Sequence, residues 1–470
     1  MNNSTSASPA AVRDGSALGD DGIAALAARL TGRVVALGDP DWDSARSAWN
    51  LAVDQRPALV VQVADVHDVQ EVLRFAGRHG LRVAPQSTGH QAASLRDLSG
   101  VILLRTDQLR EIRVDVDART IRVGAGVLWG DVSWALTPHG LTARAGSSHD
   151  VGVVGYTLGG GYSWLTRRYG LAVSSVTAAE VVTGDGTFHR VDACTGSELF
   201  WAVRGAGATF GVVTALEFGV LPFDQIYGGA LMFPIARASE VLRRWAEWTA
   251  DVDDAATTAV RLLRLPPVPD LPDFLRGQHF AVVDGAVAAP EAEAERLLAP
   301  LRALGPVVDT FRMMPTAGLD HLHMDPPQPV PAVGDGFIID ALTPSAIQAL
   351  LDVAGPDVDS PLLAVDLRQL GGAAGRPDPS GGAIDHLPGA YLAFAVGMAG
   401  TPESAGLVAE HVAAVREALR PWANSRQYRG FREAPAPAAA FYPPAVLTRL
   451  RAVRAAHDPA AIIEANHGLD

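Results

Sequence analysis

Residues 146–170 read GSSHDVGVVGYTLGGGYSWLTRRYG, and this stretch constrains the chain more than any other. Five glycines fall between Gly152 and Gly161, and after Asp150 no charge appears until Arg167. Glycine is needed where the backbone enters positive φ or comes close to a neighbour or a ligand. Such a run is either a kinked turn buried between two core elements or the cradle of a bound group. It is not a phosphate-binding P-loop, because no Gly-Lys-Ser/Thr follows. Nor do Gly152, Gly155 and Gly159–Gly161 space as the Gly-x-Gly-x-x-Gly of a dinucleotide-binding turn.

Two further stretches bear on the choice. Upstream lies Gln86-Ser87-Thr88-Gly89-His90, whose main-chain amides suit the oxygens of a pyrophosphate. Downstream, residues 200–214 read FWAVRGAGATFGVVT. Together the three stretches resemble the FAD-linked oxidases of the berberine-bridge-enzyme-like family, a branch of the vanillyl-alcohol-oxidase type flavoproteins with a PCMH-type FAD-binding domain. The resemblance runs from about Trp49 to the C-terminus.

In that family an Arg-x-Gly-Gly-His loop carries the histidine that bonds covalently to the flavin. The resemblance therefore implies FAD, attached through His90, although the arginine is Gln86 here and the first glycine is Thr88. It also implies cofactor contacts from Gln86, Ser87, Thr88 and Gly89, from Val151, Gly152, Gly155, Gly159, Gly160 and Gly161, from Gly211 and Val213, and from Asn466. Arg204 joins them as a cofactor-facing residue of the third motif, where Thr209 replaces the family's asparagine. Ser148 stands where doubly attached members have cysteine; a hydroxyl cannot make that thioether, so a single attachment is implied.

On the substrate side, Phe431 stands where many members have the tyrosine that deprotonates the substrate, and phenylalanine has no ionisable group. Asp366 and Arg368 alternate on one strand and so share a face. They are either a simple ion pair or, as the resemblance implies, an acid or base and its partner over the flavin ring. Tyr156 is a further catalytic candidate. Tyr156, His149, Gln369, Tyr428 and Phe431 are the expected substrate contacts. His149 and Asp150 are either a proton-handling pair or solvated loop residues.

The bulk numbers narrow the field. A chain of 470 residues exceeds one simple core. Its formal net charge of −14 excludes nucleic acid and anionic membrane as natural partners. Cys194 is the single cysteine, which excludes a disulfide framework and a Cys-rich metal site, and no metal is expected. All 38 basic residues are arginine, so a lysine Schiff base is excluded. No apolar run reaches the length of a membrane span, and Met1–Asp21 is a Ser/Ala/Asp-rich tail without the regions of a signal peptide. Disorder of that tail and a cytoplasmic location are the expectations.

Periodicity predicts strands at 58–63, 82–84, 101–104, 112–116 and 120–123, helices at 65–79 and 129–139, and a hairpin around Asp185-Gly186. After a strand over 210–221, strands alternate with amphipathic helices, including strands at 229–233, 260–265, 278–284, 307–314, 362–370 and 391–396. The expected fold is α+β with two domains: an FAD-binding domain of residues 22–222 plus 421–470, and a substrate-binding domain, 223–420, of antiparallel sheet covered by helices. The expected function is oxidation of a medium-sized, natural-product-type small molecule in bacterial secondary metabolism, with hydride passing to flavin N5 and O2 reoxidising the flavin to give H2O2. A flavin-dependent oxygenase or oxidative cyclase is the alternative, and a non-redox cyclase or binding protein on a flavoprotein scaffold is the second.

Overall fold

Alternation and turn chemistry account for three successive sheets. The computed structural model describes residues 19–95, 97–269, 273 and 275–469. Residues 1–18 of the expected tail therefore lie outside the described residues, while Asp20 and Asp21 already open a helix, Asp20–Ala27, which moves the start of the folded chain ahead of residue 22.

The first sheet holds β1 (Arg33–Val35), β2 (Leu59–Gln62), β3 (Arg82–Gln86) and β4 (Val101–Arg105), in the order β1-β2-β4-β3. β4 runs parallel to both β2 and β3. Parallel pairing needs a crossover, and the helix Val66–His79 supplies it. Asp65 caps that helix through the Asp68 amide, and Gly80 ends it at φ 66°. Asp68 itself is fully buried and accepts from the amides of Thr31, Gly32 and Ala64, each at 2.8 Å. One carboxylate thus pins the N-terminal segment to the crossover. β3 delivers the loop 87–91 at its C-terminal end.

The second sheet is antiparallel: β5 (Ile112–Asp115), β6 (Thr120–Gly124), β7 (Val176–Thr183), β8 (Phe188–Asp192) and β9 (Gly211–Gly219), in the order β5-β6-β9-β7-β8. The Gly-rich stretch spans the connection from β6 to β7 and packs into the largest hydrophobic cluster. That cluster also takes Leu447, Leu450 and Val453 from the last helix, Pro444–His457.

The third sheet has eight antiparallel strands: β10 (Gln225–Pro234), β11 (Ala256–Arg264), β12 (His279–Val287), β13 (Val308–Asp309), β14 (Arg312–Pro315), β15 (Ala332–Ile339), β16 (Leu362–Gln369) and β17 (Tyr391–Met398). The strand predicted over 307–314 is split, because Phe311 crosses Gly229 so closely that a Cβ there would lie 2.4 Å from it. Both halves still pair with β10. One face of the sheet carries Val260, Leu262, Val283, Val365 and Leu367 against the helices Ala238–Asp251, Glu291–Arg302, Pro344–Ala354 and Pro402–Ala418. The opposite face carries Arg261, Asp284, Asp366 and Arg368. The cross-strand register pairs Arg261 with Asp366 and places Asp284 beside Ala259.

Replacing Asp68 by Ala should cost about 3 kcal/mol, because three amides lose a charged acceptor at once. Chemical denaturation of the holo-protein checks this; a loss below about 1 kcal/mol would mean that water replaces the carboxylate.

Candidate functional site

The loop after β3 meets the Gly-rich stretch at His90. Gly89 takes the positive φ, 82°, while Thr88 is not among the non-glycine residues of positive φ, so the β-branched side chain is accommodated without strain. The Thr88 hydroxyl lies 2.8 Å from His90 Nδ1. The imidazole stacks on Trp49, with ring centroids 4.2 Å apart and planes 19° apart. His90 Nε2 is buried, sits 3.5 Å from Asp150 Oδ1 and makes no hydrogen bond. Asp150 accepts from Ser148 Oγ at 2.7 Å and from the Trp49 indole N–H. Burial alone would raise the Asp150 carboxyl; the nearby His90 imidazole and the hydrogen bonds from Ser148 and Trp49 outweigh it and hold it well below the usual range. A stacked, oriented histidine beside an ionised carboxylate, with one ring nitrogen unsatisfied, fits the attachment of a group at this point.

The glycines divide into two kinds. Gly152 abuts Ser87, whose Oγ would be 3.0 Å from an added Cβ, and Gly155 faces open space, as a cradle would. Gly160 and Gly161 instead have local packing reasons. Their φ values are 121° and 74°, and a Cβ would strike Tyr428 at 2.9 Å or Ala172 at 2.4 Å. Gly159 meets only backbone oxygens of its own turn. Gly211 is required by the approach of β7, where Val182 O would be 2.4 Å from a Cβ, and Val213 lies in the core beside it. Val151 packs against the same core. These contacts give Gly160, Gly161, Gly211 and Val213 structural duties of their own. Gln86 exchanges two 3.0 Å hydrogen bonds with Gln55, so its amide is turned inward. Arg204 donates to the Ser380 and Gly381 carbonyls, which holds that loop. Asn466 donates to Gln91 O at 2.8 Å and so braces the residue after His90.

The polar face of the third sheet carries five ionisable groups in an alternating chain. Arg261 Nη2 lies 2.7 Å from Asp284 Oδ2. Asp284 Oδ2 is 2.9 Å from His323 Nδ1, and His323 Nε2 is 3.0 Å from Asp366 Oδ2. Arg368 Nη2 is 3.3 Å from the same Asp366 oxygen and rests over the Phe431 ring, 4.8 Å from its centroid. Periodicity shows Asp366 and Arg368 together but not Asp284 and Arg261, which strand register brings to them, nor His323, which the segment after β14 delivers. Burial, Arg261 and Arg368 would lower His323, but Asp284 and Asp325 prevail and raise it above the ordinary imidazole value, while Arg368 Nη2 also lies 3.0 Å from its Nε2. Burial would raise Asp366, and His323 and Arg368 overcome it, holding the carboxylate far below its ordinary range. Of the two readings open for Asp366, this geometry favours the ion pair, with the carboxylate charged among cationic neighbours.

The remaining candidates are placed as follows. Tyr156 donates its hydroxyl to the Tyr162 and Arg144 carbonyls, at 2.6 and 3.2 Å, and burial raises it well above the ordinary tyrosine value. Tyr428 accepts from the Tyr162 amide at 3.1 Å and is pushed up to about 12 by burial. Neither is set up to take a proton. Phe431 contacts Phe394, Tyr428 and Arg368. Gln369 points to the helix-covered face, where it is bonded by Thr258 and reaches Thr249 O, so it leaves the substrate side. Strand alternation requires this once Arg368 faces the other way. His149 lies 4.9 Å from His321 at the surface and does not pair with Asp150. Among the described residues, Asp65, His67 and Asp68 form the one group with metal-ligand spacing, and both carboxylates of that group are already bonded to amides.

Residues 57–192 match the family described as an FAD binding domain. The chain is 28% identical over 282 residues to an uncharacterized FAD-linked oxidoreductase, YgaK, of Bacillus subtilis, covering 59% of this chain and 60% of that one. It is 30% identical over 290 residues to (R)-6-hydroxynicotine oxidase of Paenarthrobacter nicotinovorans, with the same coverage. The matched region thus spans about 60% of the length of these curated relatives. Among solved structures, BBE-like 1 of Physcomitrella patens superposes with a TM-score of 0.83 at 20% identity, covering 95% of this chain and 99% of that one. The 6-hydroxy-D-nicotine oxidase of Arthrobacter nicotinovorans gives 0.81 at 24% identity, covering 94% and 98%. Residues 57–192 thus carry an FAD binding domain, and the chain has the fold of the berberine-bridge-enzyme-like structure it superposes on. No helix among the described residues is long and apolar enough to cross a membrane.

The linked titrations give a pH signature. A raised His323 value means that its contribution to stability is complete below about pH 6.5 and is lost as pH rises through the folded-state value. Asp366, depressed, contributes above about pH 4 and loses that contribution only in acid. His323→Gln should therefore destabilise the holo-protein most below about pH 6.5, and the gap in thermal midpoint to the wild type should narrow as pH rises. A gap that is constant with pH would show His323 to be uncharged.

Proposed function

We propose that this protein is an FAD-dependent oxidase of a medium-sized organic substrate. Residues 22–222 and 421–470 would hold the flavin, and residues 223–420 would supply the substrate side. The observation that carries the reading is His90: stacked on Trp49, faced by ionised Asp150 and left with an unbonded ring nitrogen at the mouth of the Gly-rich stretch. The names of several relatives as FAD-linked oxidoreductases and oxidases support it.

The bound FAD would be linked through His90 alone, since Ser148 cannot form a thioether, and it would accept a hydride at N5 and be reoxidised by O2 to give H2O2. The chain's own residues bind and orient. Trp49, Thr88 and Asp150 fix the His90 ring; Ser87, Gly152 and Gly155 leave room for the group it carries. Arg368 and Phe431 would face it from the third sheet, with Asp366 and His323 holding Arg368 in place. A flavin-dependent oxygenase would use the same residues, and H2O2 yield separates the two. Bacterial secondary metabolism fits the composition, rich in Ala, Arg, Gly and Pro.

The purified protein should stay yellow after acid precipitation, and His90→Ala should release its flavin or lack it. Flavin found wholly in the wild-type supernatant would refute the covalent link. Cys194 is exposed in a turn closed by Asp192, so Cys194→Ser should keep full flavin content. Under anaerobic conditions a substrate should bleach the flavin, and air should restore the colour with one H2O2 per turnover. If no member of a broad alcohol, amine and sugar panel bleaches it, the redox-inactive alternative takes over.

A further inference from the structure

Gln86 stands where the resembling loops carry arginine, and its side chain is spent on Gln55, so the loop that ends in His90 has no arginine of its own. β3 and β4 run parallel with Gln86 opposite Arg105, and the Thr106 amide extends that pairing to Gln86 O at 3.0 Å. Register partners on neighbouring strands point to the same face of the sheet. The two side chains therefore lie side by side, and the guanidinium missing from β3 stands one strand over, on β4.

Both side chains reach the strip Ser47-Ala48-Trp49. Arg105 Nη1 donates to Ser47 O at 2.9 Å. A Cβ on Gly89 would lie 2.9 Å from Ala48 Cβ and 2.9 Å from Gln86 Nε2. The Trp49 amide donates to Thr88 O at 2.8 Å, and the Trp49 indole stacks on His90 and donates to Asp150. Ala48 and Trp49 thus shape the flavin loop, and the residue before them is held by Arg105. The Arg105 side chain is 14% exposed, and its other neighbour is weak: Nε lies 3.5 Å from Asp107 Oδ1, with neither atom in a hydrogen bond. Arg46, the other guanidinium beside this strip, is committed elsewhere, to Asp43 at 2.7 Å, to Asp54 and to Gln55 O at 2.7 Å.

We propose that Arg105 takes the place of the motif's arginine and is a positioning residue for the flavin loop: by holding Ser47 O it sets the pose in which Trp49 presents the His90 ring. A charged donor on a carbonyl holds more firmly than a neutral one, and a strand in the middle of a sheet gives it a rigid base. The inference rests on the reading that His90 carries FAD. In that attachment the His90 N–H and one C–H of a flavin methyl group give way to an N–C bond, the two hydrogens reduce the flavin, and O2 removes them as H2O2. Arg105 takes no part in this exchange; it fixes where the ring stands when it occurs.

The test compares Arg105→Gln, Arg105→Lys and the exchange variant Gln86→Arg/Arg105→Gln with the wild type, all as holo-proteins. Total flavin per chain is read from visible absorption, and the attached fraction from what stays with the protein on acid precipitation. Arg105→Gln should keep most of its total flavin and lose about tenfold of the acid-stable fraction, the scale on which displacement of a reacting group acts. Arg105→Lys keeps a charged donor and should lie between Arg105→Gln and the wild type. The exchange variant should recover most of what Arg105→Gln loses. A proportional fall in both quantities would mark Arg105 as merely structural and overturn the proposal. So would a wild-type acid-stable fraction in Arg105→Gln, or an exchange variant no better than Arg105→Gln. If Arg105→Gln does not fold, the exchange variant decides: folded with acid-stable flavin it upholds the proposal, and unfolded it overturns it. A second measurement needs no covalent bond. With isotope-labelled histidine, the His90 ring resonance, identified by its loss in His90→Gln, is displaced by the Trp49 ring current and should move back in Arg105→Gln. A resonance that stays in place overturns the proposal, whereas wild-type flavin released entirely by acid counts against covalent attachment and leaves this measurement to decide.

Discussion

Two carboxylates, two guanidinium groups and an imidazole inside one sheet face tolerate burial only because they alternate. Removal of any member leaves a charge without its neighbour, at a cost of about 3–5 kcal/mol for a buried pair. This requirement reaches well beyond the face itself. His323 comes from the segment after β14, so that segment must lie across β11, β12 and β16 to place both ring nitrogens. Its continuation then runs back to the first sheet: Asn50 brackets Ala332 through both its side-chain atoms, and the Leu51 amide donates to Val330 O. Trp49, which orients His90, is the neighbour of Asn50. The electrostatics of the third sheet and the geometry of the flavin loop are therefore joined through one short clamp.

The second seam is made by tyrosines. Tyr162 donates its hydroxyl to Gln369 O, at the end of β16, and its amide to Tyr428 OH. Tyr156 closes the Gly-rich stretch on itself through the Tyr162 carbonyl. The paired glycines Gly160 and Gly161 exist to let these rings pass. The stretch is thus both of the readings its composition allowed: Gly152 and Gly155 form the open part, and Gly160 and Gly161 the buried kink.

The α+β class was legible because hydrophobic periodicity and turn residues agreed over most of the chain. Asp65 and Gly80 bound a crossover helix in the sequence as they do in the structure. β15 escaped detection because Gly334 and Gly336 dilute its apolar pattern, and they are glycines because Phe394 and Phe431 press against them. The helix Pro344–Ala354 carried a readable start, with Thr343 capping and proline in the first turn, and was overlooked between proline-rich loops. Individual residues of the site could be read from a resemblance where the motif is contiguous, as at His90. The charged chain could not, because its members are brought together by cross-strand register, a long-range property that no local pattern encodes. The same limit explains Gln369, whose neighbour Arg368 faces the site while it does not.

The candidates chosen from the sequence are placed as follows: Phe431 cannot ionise, Tyr156 and Tyr428 are raised by burial and committed to main-chain groups, and Asp366 is held below its ordinary range by its cationic neighbours. On the proposed function, the third sheet then supplies position and field. A fixed cationic edge at Arg368 favours a substrate held in one orientation, and orientation alone lowers a hydride-transfer barrier when the reacting carbon is brought within reach. The reaction suited to such a face is one whose leaving hydrogen is the hydride itself, with any accompanying proton acidic enough to depart to water.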